Sequence, residues 1–402
     1  MTQDQGEFLD DTGAPVSLRE IAREWGRIGI TGFGGPPAHI ALLRRLCVEQ
    51  RGWIAASEFE DAIAACNLLP GPASTQLAIW CSWRLRARRG AVLAGVCFIA
   101  PGLVVILALA ALFLAAHPPT WVLGAAAGAG AAVPAVAVHA AWGLTPASWK
   151  RMRKPAQAGA GGGFARTRWI GYALVGGIAA ATIGPWLVLV LLGCGLVEIT
   201  VRRALPAGGA RGALPLAVPS TIATGGLGAL AWTALKVGAL SYGGGFVIIP
   251  LMQHDAVTAY HWMTGPQFLD AVALGQVTPG PVVQTVAVVG YAAGGIGGGL
   301  LAAALAFAPS FAFVLLGARH FGRLRDNRRA AAFLGGAGPA AIGAILGSAI
   351  PLTRTLTQPW QYAVLAAAAA ALFLLRRGVV FTLLAAGAAG LLLALAGVAL
   401  PH

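Results

Sequence analysis

Long stretches of this chain contain no Asp, Glu, Lys or Arg, among them residues 91–116, 121–142, 330–350 and 378–400. About 20 helical residues cross the hydrocarbon core of a bilayer, where no water satisfies open backbone groups. With 57% hydrophobic and only 10% charged residues, the chain lacks the charge that the surface of a soluble domain needs. The sequence therefore predicts an all-α polytopic protein with many membrane crossings.

The net charge of +14 does not indicate nucleic-acid binding. The arginines cluster in short loops between apolar stretches, where the excess of positive charge in cytoplasmic loops explains them. No basic patch lies outside those loops, so we expect no nucleic-acid partner. The five cysteines show no metal-ligand spacing, and no P-loop, nucleophile elbow or dinucleotide-binding motif is present. We expect no metal, no cofactor and no catalytic residue.

The chain contains an internal repeat, in which adding 209 to a residue number in the first half gives its match in the second. Pro70-Gly71-Pro72 recurs as Pro279-Gly280-Pro281. Further matches at this offset are Gly29/Gly238, Gly34/Gly243, Gly35/Gly244, Trp53/Trp262, Phe59/Phe268 and Asp61/Asp270. So many matches at one offset predict two copies of one unit. We place a polar tail at 1–16, the first repeat at 17–203, a linker at 204–219 and the second repeat at 220–402.

Arginines in the loops predict that the two copies cross the membrane in opposite directions. Four arginines lie in 84–89 of the first repeat, whereas the equivalent loop of the second repeat, 289–299, carries no charge. In the loops that follow, the order is reversed, and five arginines lie in 319–329 of the second repeat. Residues 149–168 are strongly basic as well. Because basic loops stay in the cytoplasm, equivalent loops lie on opposite sides, as in many secondary transporters.

We predict five crossings and one re-entrant hairpin in each repeat, about ten crossings and two hairpins in all. In the first repeat these are 17–46, the hairpin 57–83, 91–115, 121–143, 169–183 and 187–201. In the second repeat they are 220–251, the hairpin 265–288, 299–318, 330–350, 360–375 and 378–398. Both termini then face the periplasm. If the amphipathic start of the first segment lies along the interface instead, the amino terminus moves to the cytoplasm.

Two glycine-rich breaks are candidate substrate-binding elements. They are Gly32-Phe33-Gly34-Gly35-Pro36-Pro37 and Ser241-Tyr242-Gly243-Gly244-Gly245. Neither continues an ordinary helix, because Pro lacks an N–H and Gly costs conformational entropy. Free N–H groups and the positive end of the following helix dipole bind anions. A packing kink is the alternative, but breaks at equivalent positions in both repeats favour a binding role.

Amide and hydroxyl side chains surround both Pro-Gly-Pro motifs. Together with backbone N–H groups, they offer neutral donors to an oxyanion. The alternative is a hairpin tip that is capped by its own polar side chains. The recurrence of these donors favours the oxyanion site. The candidate residues at the breaks and motifs are Gly34, Gly35, Asn67, Gly71, Ser74, Thr75, Gln76, Gly243, Gly244, Gly245, Gln276, Thr278, Gly280, Gln284 and Thr285.

Two charged pairs also match across the repeat. Arg27 and Lys236 each precede a glycine break, and a cation within a membrane span is a candidate for attracting a divalent anion. Pairing of Arg27 with Glu24, and snorkelling of Lys236 to an interface, are the alternatives. Asp61 and Asp270 stand at equivalent places ahead of the two Pro-Gly-Pro motifs. They either carry protons for coupling or cap and pair within the hairpins.

These motifs resemble the chromate ion transporter family in its long-chain, two-domain form. The resemblance rests on the first glycine-rich break, on Asn67-Leu68-Leu69-Pro70-Gly71-Pro72 and on their second-half counterparts, and it covers almost the whole chain. It implies chromate export from the cytoplasm, chromate resistance and a proton-motive driving force. The second copy departs from the first, since Gly245 replaces Pro36 and Gln276-Val277-Thr278 replaces Asn67-Leu68-Leu69. We therefore expect the two half-sites to differ in binding.

Other functions stay open beside chromate export. Sulfate has the same shape and charge as chromate, so a transporter of sulfate or another oxyanion fits the same residues. An uncoupled anion channel predicts flux that is independent of a proton gradient. A membrane enzyme lacks any nucleophile–base or metal constellation in this sequence. The expected partners are a small oxyanion, protons and membrane lipid, and the oligomeric state stays open, with a homodimer as one candidate.

Overall fold

The computed structural model of the protein describes residues 16–153, 162–182, 187–204, 226–241, 246–318, 321 and 327–401. These residues form helices and connecting turns, and no strand occurs among them. The predicted tail and linker lie outside the described residues except for Val16 and Ala204. The all-α fold class is confirmed.

The first half contains seven α-helices in its described residues. They are α1 (Leu18–Thr31), α2 (Pro36–Arg44), which continues as the π-helix Arg45–Gln50, α3 (Ala56–Cys66), α4 (Ala73–Phe113), α5 (Thr120–Arg153), α6 (Gly162–Thr182) and α7 (Leu187–Ala204). The described part of the second half also contains seven. They are α8 (Leu227–Leu240), α9 (Ile248–Gln253), which continues as the π-helix His254–Ala259, α10 (Gly265–Val277), α11 (Thr285–Gly317), which follows the 3-10 turn Val282–Gln284, α12 (Arg328–Arg354), α13 (Pro359–Phe373) and α14 (Val379–Leu395).

Helix boundaries recur at the offset found in the sequence. Adding 209 to the first and last residue numbers of α1 gives those of α8, and the same holds for the two π-helices. The long helices α4 and α11 each contain a non-helical kink, at Arg86 and Ala87 in α4 and at Gly294 and Gly295 in α11. These helix boundaries and kinks therefore recur between the two halves in the described residues.

Several helices are long and apolar enough to cross a membrane. By length and composition these are α4, α5, α12 and the segment Val282–Gly317, with shorter apolar helices in α8, α13 and α14. The prediction for α5 was too short, because the helix continues through Pro146 to Arg153 instead of ending near residue 143. Proline is tolerated inside membrane helices where neighbours compensate the lost backbone bond.

The two halves interlock through small residues. Helices α6 and α7 pack on α12 of the other half, α13 and α14 pack on α5, and α4 packs on α11. Gly128 of α5 lies so close to Gly390 of α14 that a Cβ would collide with its backbone. Within each half, Gly29 of α1 approaches α4 and Gly238 of α8 approaches α11 in the same way. Such contacts are typical of membrane helix packing, and those between helices of different halves join the halves into one body.

Candidate functional site

The first glycine break interrupts the first predicted crossing. Helix α1 ends at Thr31, and α2 starts at Pro36. Between them Gly34 and Gly35 have φ values of 95° and 75°, which favour glycine. In the second half α8 ends at Leu240 and α9 starts at Ile248, whereas Gly243, Gly244 and Gly245 lie outside the described residues.

The two Pro-Gly-Pro tips require glycine at their centre. Gly71 and Gly280 have φ values of 115° and 94°, outside the region that other L-residues readily adopt. At Gly71 an added Cβ would also lie 2.6 Å from Nε2 of Gln76. Each tip separates a short helix from the long helix that follows, as predicted for a broken hairpin.

Each tip lies against the other half of the protein. The N–H of Gly280 donates to the carbonyl oxygen of Gly32 in the first glycine break at 3.1 Å. A Cβ on Gly71 would lie 3.1 Å from Oγ of Ser310 in α11 and 3.4 Å from the carbonyl oxygen of Gly238 in α8. The interrupted segments of both halves are therefore brought together, which local sequence alone does not require.

His39 links the first break to the first tip. Its Nε2 lies 2.9 Å from the carbonyl oxygen of Gly32, and its Nδ1 lies 3.4 Å from Oγ of Ser74. With the proton on Nε2, the ring donates to Gly32 and accepts from the Ser74 hydroxyl. Sequence reasoning missed His39, because Ile248 stands at the equivalent position and the repeat gave no signal.

Buried polar atoms without a hydrogen-bond partner concentrate around the two tips. Within the described ranges they include Thr75 Oγ1, Gln76 Oε1, Ser241 Oγ, Gln276 Nε2, Gln284 Oε1 and Ser310 Oγ. Such atoms are rare in folded proteins because burying a polar group without a partner costs free energy. Their concentration marks a place suited to water or a polar ligand. The sequence prediction included all of these residues except Ser241 and Ser310.

Other predicted donors are satisfied by their own backbone. Thr278 Oγ1 donates to the carbonyl of Leu274, and Thr285 Oγ1 donates to that of Val282, both at 2.8 Å. Gln76 Nε2 donates to the Pro70 carbonyl at 2.7 Å. At these positions the geometry fits the capping alternative.

A cavity of about 250 Å³ opens beside the first break and the first tip. This equals the liquid volume of about eight water molecules. Its polar wall carries Asn67 from the first tip and Ser148 and Arg151 from α5. The remaining wall is apolar and comes from Pro36, Pro37, Ile40, Ala73, Leu144, Ala147, Val247, Gly338, Ala341 and Ile342. We call this the open cavity.

Arg151 supplies the positive charge of the open cavity. Its side chain is half-buried and pairs with no carboxylate among the residues that the structure describes. Sequence reasoning missed it, because it was counted among the basic loop residues and the helical extension beyond residue 143 was not foreseen.

Arg27 and Lys236, the cations that the sequence singled out, are both neutralised by carboxylates. Arg27 Nη2 lies 2.7 Å from Glu24 Oε2, which was the alternative considered for it. Lys236 Nζ lies 2.5 Å from Asp255 Oδ2, and both side chains are buried. Lys236 thus has a counter-ion within the protein and does not depend on snorkelling. We therefore propose neither side chain as the positive charge that binds the substrate.

A second charged cluster lies near the open cavity. Glu198 is fully buried, with Arg202 Nε at 2.7 Å and Arg168 Nε at 3.2 Å. Trp169, next to Arg168, donates from Nε1 to the Ser148 hydroxyl at 3.1 Å. Two guanidinium groups on one carboxylate leave positive charge at this end of α5, which favours the approach of anions.

Asp61 and Asp270 occupy different environments despite their equivalent positions. Asp61 is exposed on α3, whereas Asp270 is 8% exposed on α10 and faces Gly130 of α5. In the described part of the chain, no group of three His, Cys, Asp or Glu side chains is arranged to hold a metal ion.

Comparison with known proteins identifies relatives over most of the chain. A family model described as chromate transporter matches residues 19–199 and 228–391, one segment in each half. A chromate transport protein of Cupriavidus metallidurans is 32% identical over 375 residues, 90% of this chain and 89% of that protein. One of Pseudomonas aeruginosa is 31% identical over 362 residues, 86% of this chain and 83% of that protein. A probable chromate transport protein of Synechococcus elongatus is 29% identical over 351 residues, 84% and 85% of the two chains. No solved structure matches the chain.

Proposed function

The chain belongs to the chromate transporter family, and from that premise we propose that it exports chromate across the bacterial inner membrane, driven by the proton-motive force. The family is one of transporters, and the apolar helices make this chain a multi-pass membrane protein. Relatives named for chromate transport support the cargo. The observation that carries the proposal is the open cavity, which combines the Arg151 cation of α5 with the neutral donors Asn67 of the first tip and Ser148 of α5.

A tetrahedral dianion in a membrane needs compensation of its charge, because an unpaired ion is costly at low dielectric. The Arg151 guanidinium offers several donors in a planar fork that suits oxyanions. The Ser148 hydroxyl and the Asn67 amide line the same cavity and add neutral donors. Chromate therefore binds between α5 and the first tip.

The position of Arg151 supports loading from the cytoplasm. It lies near the end of α5, where the chain enters the basic segment 149–168. Basic segments of this kind lie on the cytoplasmic side of the membrane. The open cavity then faces the cytoplasm, which is the side from which an exporter takes up its substrate.

Asp270 is the favoured group for proton coupling. It is buried, and within the described ranges no cation pairs with its carboxylate. A carboxylate that is buried without a counter-charge is costly, so this position suits a group that carries a proton during the conformational cycle. Its neighbours include Gly130 of α5, the helix that also carries Arg151. Movement of α5 thus acts on both the anion and the proton.

Uptake into inside-out vesicles tests the proposal. Labelled chromate and labelled sulfate are supplied with and without an uncoupler. We expect chromate to accumulate and the uncoupler to abolish accumulation. Uptake of sulfate without uptake of chromate would show that chromate is not the substrate. Chromate flux that neither accumulates the anion nor responds to the uncoupler would indicate a channel.

A variant pair on α5 tests the site. Arg151→Gln removes a charged hydrogen-bond donor worth about 1.5–3 kcal/mol, so chromate uptake at low concentration falls about ten- to a hundredfold. Arg153→Gln is the matched control, since Arg153 is exposed on the same helix and does not line the open cavity. Equal uptake by the two variants would remove Arg151 from the site.

A further inference from the structure

The open cavity has a counterpart in the other half that is packed shut. With the offset of 209 in residue number, Asn67 corresponds to Gln276. For α5 and α12 the offset is 205, because both prolines inside α5 then match both prolines inside α12. The counterparts of Asn67, Leu144, Ala147, Ser148 and Arg151 are Gln276, Ala349, Leu352, Thr353 and Leu356. We call the second group the counterpart set.

Four of the five members of the counterpart set are more buried than their equivalents at the open cavity, and Thr353, which is more exposed than Ser148, is the exception. Asn67 and Ala147 are exposed on the wall of the open cavity. Their counterparts Gln276 and Leu352 are 7% and 0% exposed. The same backbone elements therefore enclose solvent space in one half and a packed interior in the other. In a protein built of two inverted copies, exchange of the two arrangements gives alternating access.

Gln276 is unusual for a residue in a packed interior. Its Nε2 has no hydrogen-bond acceptor in the described ranges although the side chain is buried. A buried donor without an acceptor costs free energy, so packing alone does not account for an amide at this position. The equivalent amide, that of Asn67, lines the open cavity.

We propose that the counterpart set is a second oxyanion site, which opens to the opposite side of the membrane when the open cavity closes. This rests on the proposed transport function and assigns the place from which the anion leaves. The site takes the same chemical class of ligand, a tetrahedral dianion, through the Gln276 amide and the Thr353 hydroxyl. In the packed arrangement that hydroxyl donates to the carbonyl of Ala349 at 2.8 Å, and rotation about the side chain turns it towards the anion.

The two sites differ in charge. Thr353 keeps the hydroxyl of Ser148, but Leu356 stands where Arg151 supplies the cation. The counterpart set therefore binds the anion through neutral donors alone, which are weaker than donors that carry charge. The anion is therefore held less tightly at the counterpart set than at the open cavity, so it leaves more readily from the second site.

Single cysteines report the opening of each site. The native cysteines are replaced, and a membrane-impermeant thiol reagent is applied to right-side-out or to inside-out vesicles. Ala147→Cys lies in the open cavity, and Ala349→Cys lies in the counterpart set, where Ala349 is 9% exposed. Ala332→Cys is the control, because Ala332 and its counterpart Ala127 are both 4% exposed and stay buried in either arrangement.

We expect Ala147→Cys to react from the cytoplasmic face only and Ala349→Cys from the periplasmic face only, with Ala332→Cys unreactive from both. If Ala349→Cys reacts from the cytoplasmic face, or from neither face while chromate is transported in the same vesicles, the second site is overturned and the proposed function stands. If Ala349→Cys reacts as expected but chromate is not transported, the second site stands and the proposed cargo fails.

Discussion

Lys236 and Asp255 form a buried ion pair inside the second repeat, and breaking it measures how much the pair contributes to stability. Nζ lies 2.5 Å from Oδ2, and the side chains are 7% and 8% exposed. Thr233 Oγ1 donates to the same carboxylate oxygen at 2.7 Å. Asp255→Asn leaves the ammonium group buried without its counter-charge, which costs about 3–5 kcal/mol. The unfolding equilibrium constant then rises roughly a hundred- to several-thousandfold.

The free cysteines provide the assay. Cys47, Cys66, Cys81 and Cys194 are buried and unpaired, so a thiol-reactive fluorophore reports unfolding of the detergent-solubilised protein. The matched control is Glu49→Gln, which breaks a 3.6 Å pair whose side chains are 42% and 59% exposed. Exposed ion pairs contribute about 0–1 kcal/mol to stability, so we expect the free energy of unfolding of this variant to stay close to that of the unmodified protein. If Asp255→Asn lowers the free energy of unfolding by less than about 1 kcal/mol, the reasoning that this pair is buried and neutralises Lys236 is refuted.

A double variant separates stability from transport. Replacing Lys236 by Met and Asp255 by Leu removes both charges, and apolar replacements of buried pairs are often neutral or stabilising. We expect this protein to fold and to transport chromate. The two charges of the pair neutralise each other, and in the proposed site Arg151 is the cation that binds chromate. If the double variant folds but does not transport chromate, Lys236 is needed for transport and is again a candidate for binding the substrate.

Three further outcomes follow from the geometry. Gly71→Ala, at φ 115°, is expected to destabilise the protein by about 1–3 kcal/mol in the fluorophore assay. Gly52→Ala, at φ 59° with no atom within 4 Å of the new Cβ, is expected to cost about 1–2 kcal/mol and serves as its control. Gln276→Leu removes a buried unpartnered donor, so we expect stability to rise by about 1–3 kcal/mol while chromate uptake into vesicles falls. Asp270→Asn is expected to make chromate flux insensitive to an uncoupler, whereas Asp61→Asn keeps the sensitivity; the reverse result would exchange their roles.

The fold class could be predicted because its signals in the sequence are local. Runs without charge mark the helices, and Pro and Gly mark the interruptions, since both act on the backbone where they stand. The offset of 209 in residue number then predicts that the second half copies the first, and the boundaries of α1 and α8 and of the two π-helices follow that offset. None of these signals requires knowledge of side-chain contacts.

The site was only partly foreseen, because its contacts join distant parts of the chain. Arg151 reaches the cavity only because α5 continues through Pro146, where a helix was expected to have ended. Asp255 lies in the π-helix that follows α9, and it pairs with Lys236 of α8, 19 residues earlier in the chain. His39 has no counterpart in the repeat, so comparing the two copies does not single it out.

The two copies repeat several helix boundaries but differ at most side chains, and in the proposed mechanism two of these differences separate the anion from the proton. A symmetric scaffold gives two arrangements of similar free energy, which permits exchange but favours neither side. The first copy carries the cation Arg151, where the second copy has Leu356. The second copy carries the buried acid Asp270, where the first copy has the exposed Asp61. Binding an anion in one arrangement and moving a proton in the other therefore act on different halves.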